Sequence, residues 1–305
     1  MTAPADGANL FTADRTAVAA AGIRHHYDIG TDFYRLWLDP SLTYSCALRE
    51  TPGDTLEIAQ HNKLRFHLDA IRAECAGAVL DIGCGWGSML RELSETHRVE
   101  RSVGLTLSPA QAEFIRAAAY SGVEVRTENW LHYTPDTRFD GIISIGAFEH
   151  FAQQSDTSAE KIRVYREFLD RCRGWLTGHG TLSLQTIVYG NMSRQQANSF
   201  MQREIFPDSE LPTLAEIITA AEGIFEVRSI SGGRLDYAWT CEQWARRLRA
   251  HRAEATALVG ADTVERYQRY LKLSAMGFRM GKIGLFRLVL QPCTSRYFDR
   301  EDRAA

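Results

Sequence analysis

Nothing in this sequence approaches 18 uninterrupted apolar residues, so no segment reads as a membrane span. Cysteine is sparse and unpatterned. Cys46, Cys75, Cys84, Cys172, Cys241 and Cys293 form no C-x-x-C pair and no cysteine–histidine spacing of a metal site, which argues against zinc and for a reduced, cytoplasmic setting. An excess of charge of one sign is missing too: the formal net charge is −3, so nothing global points to nucleic acid. The arginines clustered over 163–173 and 246–252 read as solvated helix faces, with an anion-binding patch as the competing reading. The first 22 residues lack an apolar run and carry Asp6 and Asp14, so they read as a flexible lead-in and not as a signal peptide. No internal repeat and no low-complexity linker divides the chain. With 45% apolar and 24% charged residues, what remains has the composition of a globular protein.

What is present is concentrated in Val79-Leu80-Asp81-Ile82-Gly83-Cys84-Gly85-Trp86-Gly87. A short apolar strand breaks into glycines and restarts as an amphipathic helix, so a ligand can lie against bare backbone and the first N–H groups of that helix. A phosphate-binding loop requires Gly-Lys-Ser/Thr, whereas this turn ends Trp86-Gly87-Ser88. A dinucleotide site requires an acidic residue after the next strand, and that strand runs into Thr106-Leu107-Ser108-Pro109 instead. Asp81 ahead of Gly-x-Gly is the arrangement of class I S-adenosylmethionine (SAM) methyltransferases; a purely structural turn is the competing reading.

From Ala78 onward, short strands alternate with helices. Strands are expected at Ala78–Ile82, Val99–Leu105, Val123–Thr127, Phe139–Ile145, Thr181–Val188, Phe225–Ile230 and Ile283–Leu290, and helices at Ser88–Thr96, Pro109–Tyr120, Ser158–Leu176 and Leu214–Glu222. In the third helix Ile162, Tyr165, Phe168, Leu169, Cys172, Trp175 and Leu176 recur at three- and four-residue steps and predict one buried stripe. Such alternation predicts an α/β fold with a Rossmann-like, mostly parallel seven-stranded sheet covered on both faces. Two parts stand outside it: 23–76, with helices predicted at His25–Leu38 and Leu56–Glu74, and the insertions 191–206 and 236–277. The expected division is a lead-in (1–22), a helical lid (23–76), a SAM-binding core (77–190 and 207–235), the two substrate-covering insertions, a last core strand (278–291) and a tail (292–305).

The motifs, taken together, resemble one family. His26-Tyr27-Asp28, Asp32-Phe33-Tyr34, Leu38-Asp39-Pro40 and Thr43-Tyr44-Ser45-Cys46 are similar to the N-terminal region of the cyclopropane-fatty-acid synthase and mycolic acid methyltransferase family. The glycine loop, Gly104-Leu105-Thr106-Leu107-Ser108 with Gln111, and Ser144-Ile145-Gly146-Ala147-Phe148-Glu149-His150-Phe151 follow in order. Ile205-Phe206-Pro207, Leu211-Pro212, Asp236-Tyr237-Ala238-Trp239-Thr240 and Arg266-Tyr267-Gln268-Arg269-Tyr270-Leu271 complete the resemblance, which covers roughly residues 24–291.

The resemblance implies SAM contacts at Tyr44, Ser45, Asp81, Gly83, Cys84, Gly85, Thr106, Leu107, Gln111, Asn129, Trp130 and Ile145. It also implies methyl transfer to a carbon–carbon double bond through a carbocation that loses a proton, giving a cyclopropane or a methylated alkene. A bicarbonate serves as base in the family, held by residues matching Cys46, Gly146, Glu149, Gln185, Ile187 and Tyr237. His150 is expected to be a structural neighbour. Two positions depart from the pattern: Gln185 stands where lipid cyclopropane synthases commonly have histidine, and Ser274 where many members have cysteine. Glutamine can donate a hydrogen bond but cannot titrate. The polar strip Tyr189–Phe206 suggests an acceptor smaller or more polar than a long acyl chain. The leading expectation is a SAM-dependent C-methyltransferase or cyclopropane synthase acting on a lipid-like or specialised-metabolite acceptor. N-methylation of a small amine is the alternative and a non-catalytic SAM-binding regulator the third; no metal is expected, and self-association is left open.

Overall fold

The structure is a computed structural model and describes residues 29–192 and 210–293. The lead-in, the His26–Asp28 motif, positions 193–206 of the first insertion, Ile205-Phe206-Pro207 and positions 294–305 of the tail lie outside the described residues. Strands β1 (Ala78–Ile82), β2 (Arg101–Thr106), β3 (Val123–Thr127), β4 (Phe139–Ile145), β5 (Leu176–Tyr189), β6 (Phe225–Gly232) and β7 (Ile283–Pro292) form one sheet in the order β3-β2-β1-β4-β5-β7-β6. The first five pair in parallel, while β7 runs antiparallel between β5 and β6. All seven expected strands are present. The second starts at Arg101 because the Val99 N–H is taken by the Leu93 carbonyl at 2.9 Å, and the fifth starts earlier, at Leu176, which pairs with Phe139 across an irregular register.

The helices are α1 (Thr31–Arg35), α2 (Leu56–Ala70), α3 (Ser88–Glu95), α4 (Pro109–Ala118), α5 (Ser158–Trp175), α6 (Leu214–Ala221), α7 (Arg234–Ala250), α8 (Arg252–Val259) and α9 (Ala261–Arg279). Helices α5 and α6 cover one face of the sheet; Tyr165, Phe168, Leu169, Cys172 and Trp175 sink into the core that Leu182, Leu184 and Leu288 build from the strands. Leu64 and Leu68 of α2, Met89, Leu90 and Leu93 of α3 and Ile115 of α4 cover the other face. Burial on both faces is why these strands read as near-continuous apolar runs. Ile162 of the expected α5 stripe is only partly buried, and Val164 and Lys161 lie inside instead.

A third cluster joins chain segments far apart in sequence. Phe33, Tyr34 and Trp37 from the N-terminal part meet Trp244 of α7 and Tyr267 of α9, with Trp37 and Trp244 rings 5.9 Å apart and edge-on. The N-terminal helix predicted over His25–Leu38 is short where described: α1 ends at Arg35, and Leu36–Leu38 form a turn whose Leu38 carbonyl accepts from Arg247 at 3.1 Å. The long helix predicted over Leu56–Glu74 ends at Ala70, and a separate 3-10 turn follows at Ala73–Cys75. Trp244 is fully buried among aromatic rings, so Trp244→Ala is expected to lower the unfolding free energy by about 3–5 kcal/mol, read from the midpoint of urea denaturation.

Candidate active site

The loop after β1 is tied to β2, because the N–H groups of Gly83 and Cys84 both donate to the Leu105 carbonyl, at 2.9 and 3.0 Å. At Gly85 the backbone takes φ +54°, and a Cβ built there meets nothing within 4 Å. That open space is a cavity at the carboxyl edge of the parallel strands, where β1 lies between β2 and β4. Ligands bind at such an edge in open α/β sheets. Gly146, after β4, has φ +69° and equally open surroundings on the same cavity.

All twelve residues expected to contact SAM line this cavity: Tyr44, Ser45, Asp81, Gly83, Cys84, Gly85, Thr106, Leu107, Gln111, Asn129, Trp130 and Ile145. Their placement has local causes. The Asp39 carboxylate accepts from the N–H groups of Ser41 and Thr43, at 2.9 and 3.0 Å, and folds the chain before Tyr44. The Gln60 amide of α2 then donates to the carbonyls of Thr43 and Ser45, at 3.3 and 2.9 Å, clamping that turn over the cavity. Ser108 caps α4 by accepting from the Gln111 N–H, with Pro109 opening the helix, so Gln111 stands in the first turn.

Thr106 Oγ1 donates to Gln111 Oε1 at 2.7 Å, leaving Gln111 Nε2 buried without a partner among the described residues. An orphaned buried donor costs free energy until an acceptor arrives, and the hydroxyls of a ribose are such acceptors. The Asn129 side chain accepts from the Leu131 N–H at 3.0 Å, which holds the loop carrying Trp130. Trp130 packs edge-on to Phe168 in the core and lines the cavity as well.

Of the residues expected to manage the acceptor chemistry, only Gly146 lines this cavity; Cys46, Glu149, Gln185, Ile187 and Tyr237 gather beside it around the end of β5. Glu149 Oε1 accepts from the Ile187 N–H at 2.6 Å, and Glu149 Oε2 is buried with no partner among the described residues. Burial pushes the Glu149 carboxyl up to about 7 against the opposing effect of the Ile187 N–H. Gln185 donates weakly to the Cys46 carbonyl at 3.5 Å, and its Oε1 accepts from Arg287 Nε at 2.8 Å. Burial pushes the Cys46 thiol up to about 12 and the Tyr237 phenol well above its ordinary value, so both keep their protons at neutral pH. The Tyr237 ring stacks on Phe278 at 4.5 Å. His150 lines the cavity and is held near 4 by burial, hence neutral. Ser274 is buried within α9.

Two charged residues of this region are absent from the sequence-based expectations. Arg287 faces Gln185 across the β5–β7 ladder, and its NH2 group also donates to the Ala47 carbonyl at 3.0 Å. Lys63 of α2 lines the cavity near Asp81; burial lowers it to about 8 and raises Asp81 to about 7. Both leave a trace in the sequence. Arg287 interrupts the apolar run Ile283–Leu290, and Lys63 sits at a four-residue step between the buried residues Ala59 and His67.

The profile of the mycolic acid cyclopropane synthetase family matches residues 14–288. The chain belongs to this family. It is 35% identical over 269 residues to cyclopropane mycolic acid synthase 2 of Mycobacterium bovis, covering 82% of this chain and 87% of that one. Its fold superposes with a TM-score of 0.80 on the cyclopropane synthase MmaA2 from Mycobacterium tuberculosis, at 32% identity over 89% of this chain and 97% of that one. The mycolic acid cyclopropane synthase CmaA1, solved with S-adenosylhomocysteine and CTAB, gives 0.80 at 31% identity, covering 89% of this chain and 98% of that one. The fold is that of a class I SAM methyltransferase, and the chain is an enzyme of that kind.

The residues present suit SAM: bare backbone at Gly85, an orphaned amide at Gln111 and opposite charges at Asp81 and Lys63. Gly85→Val places a branched side chain in the open space at a left-handed φ. It is expected to lower SAM affinity below detection in isothermal calorimetry while the circular dichroism spectrum of a folded protein persists; native affinity in the folded variant would overturn the assignment.

Proposed function

We propose that the chain transfers the methyl group of SAM to a carbon–carbon double bond or another electron-rich carbon of a lipid-like or specialised-metabolite acceptor, and that Glu149 manages the proton lost afterwards. SAM supplies an electrophilic methyl group, and methylation of an alkene leaves on the acceptor a carbocation that must lose a proton. The observation that carries this reading is Glu149: a buried carboxyl pushed up to about 7, with one oxygen fixed by a backbone N–H and the other without a geometric hydrogen-bond partner among the described residues, next to the cavity expected to hold SAM. A base of that pKa is well matched to neutral pH. The Tyr237 hydroxyl and the Gln185 amide are donors on the same side, suited to orienting a carboxylate or a bicarbonate. The parts at 29–76 and 236–277 act in this reading as a lid, because a carbocation survives only where water is kept out. A long alkyl chain is present in the CTAB bound by the related CmaA1 structure, which supports a lipid-like acceptor.

Protonated Glu149 cannot take a proton, so kcat is expected to rise as pH rises through about 7. Glu149→Gln keeps the shape and removes the charge. It is expected to lower kcat by about 10²–10³, flatten that rising limb and leave SAM affinity unchanged. Stopped assays with methyl-labelled SAM and mass analysis of the product read all of this, and their repetition in bicarbonate-depleted buffer separates direct proton transfer from transfer through a held bicarbonate. Wild-type kcat in Glu149→Gln removes Glu149 from the mechanism, and a methylated amine as product replaces the C-methylation reading.

A further inference from the structure

The strongest unassigned feature is Lys63. Its side chain rises from α2 into the protein interior, where the residue is 1% exposed, and it lines the cavity beside Ser45, Asp81 and Gly83. Among the described residues its ammonium makes no hydrogen bond and no ion pair. The carboxylates in electrostatic range are Asp39 and Asp81. Asp39 is already committed, both oxygens accepting from the backbone N–H groups of Ser41 and Thr43. Asp81 is buried too, and Lys63 is the charge that favours its ionised form. The nearby cation Arg287 opposes the charge on Lys63.

An ammonium this deep in the protein, facing the cavity with no hydrogen-bond or ion-pair partner among the described residues, is costly to hold charged. Such a group is tolerated where a ligand supplies the missing anion. SAM carries one carboxylate, on the α-carbon of its amino-acid end. The other end of the cavity is built for adenosine, with the orphaned Gln111 amide and the Asn129–Trp130 loop. The amino-acid end therefore falls to the part of the cavity that holds Lys63 and Asp81. The α-ammonium and α-carboxylate form a zwitterion, and Asp81 with Lys63 forms the complementary pair.

We propose that Lys63 is a SAM-binding residue whose ammonium takes the α-carboxylate, while Asp81 takes the α-ammonium. The proposal rests on the assignment of this cavity to SAM and adds which charge selects SAM from adenosine derivatives lacking its carboxylate. Clamping Tyr44–Ser45 through Gln60, α2 brings the turn and the charge to the ligand together.

The test is calorimetric titration of the full chain with SAM and with decarboxylated SAM, which keeps the α-side ammonium and the sulfonium but lacks the carboxylate. Wild-type protein is expected to prefer SAM. Lys63→Met should weaken SAM binding about 10- to 100-fold, the range of a charge-assisted hydrogen bond, leave decarboxylated SAM unchanged and so erase the preference. Lys63→Arg, a second variant that keeps the charge, should retain it. Removal of an unpaired buried charge should also raise the melting temperature of ligand-free Lys63→Met, a shift independent of turnover. Undiminished preference for SAM in Lys63→Met, or an equal loss for both ligands, overturns the role of Lys63 while leaving the cavity assigned to SAM. Absence of SAM and S-adenosylhomocysteine binding to wild-type protein overturns the cavity assignment itself.

Discussion

Desolvated charge is the constraint on which the rest of this structure depends. Lys63, Asp81, Glu149 and Arg287 are each no more than 5% exposed, within one region between the glycine loop and β5. Each costs free energy to bury, and the protein meets that cost unequally. Arg287 is nearly satisfied, with hydrogen bonds to Gln185 and Ala47 and the Asp236 carboxylate 3.9 Å away. Glu149 is half satisfied. Lys63 has no direct partner at all among the described residues. The gradient runs from scaffold to cavity, as it must if the unsatisfied groups are those that a ligand completes.

The aromatic cluster that joins the N-terminal part to α7 and α9 packs against this region. Tyr44 and Trp86 belong to the packing of that cluster and also line the cavity. The Trp86 indole N–H donates to Thr31 Oγ1 at 3.3 Å, and Tyr34 and Tyr267 share a hydrogen bond of 3.0 Å. Some of these rings pair their polar tips, whereas the indole N–H groups of Trp37 and Trp244 are buried with no partner among the described residues. Low dielectric follows, and with it the raised carboxyl of Glu149 and the lowered ammonium of Lys63.

Much of this was legible in the order of residues. The seven strands followed from the glycine loop and strand–helix alternation, which are local signals of backbone freedom and periodicity, whereas the set of residues found lining the cavity followed from the family resemblance carried by motif order. The acceptor side was legible only in part. Gln185 reads as a loss when set against a titratable histidine, since the sequence does not reveal that strand register puts Arg287 directly opposite it. In place of a ring that gains and loses a proton, the fold offers an amide whose oxygen is held by a permanent cation and whose nitrogen turns to the Cys46 carbonyl. Lys63 escaped for the same reason. An isolated lysine in a helix is ordinarily solvated, and only the tertiary placement of α2 against the glycine loop buries it.

The place of β7 in the sheet has a consequence for how the protein is made. This last described strand is not an edge; it inserts between β5 and β6, pairing Leu182 with Leu290 and Val227 with Leu290. While the ribosome is still synthesising β7, β5 and β6 are present but each exposes an unpaired edge, and the cation behind Gln185 has not yet been added to the chain. Long-range insertion of this kind is slow compared with local helix and hairpin formation, and open strand edges are where nascent chains associate wrongly. Arg287, the cation behind Gln185, thus joins the fold in the same step that covers the open edge of β5.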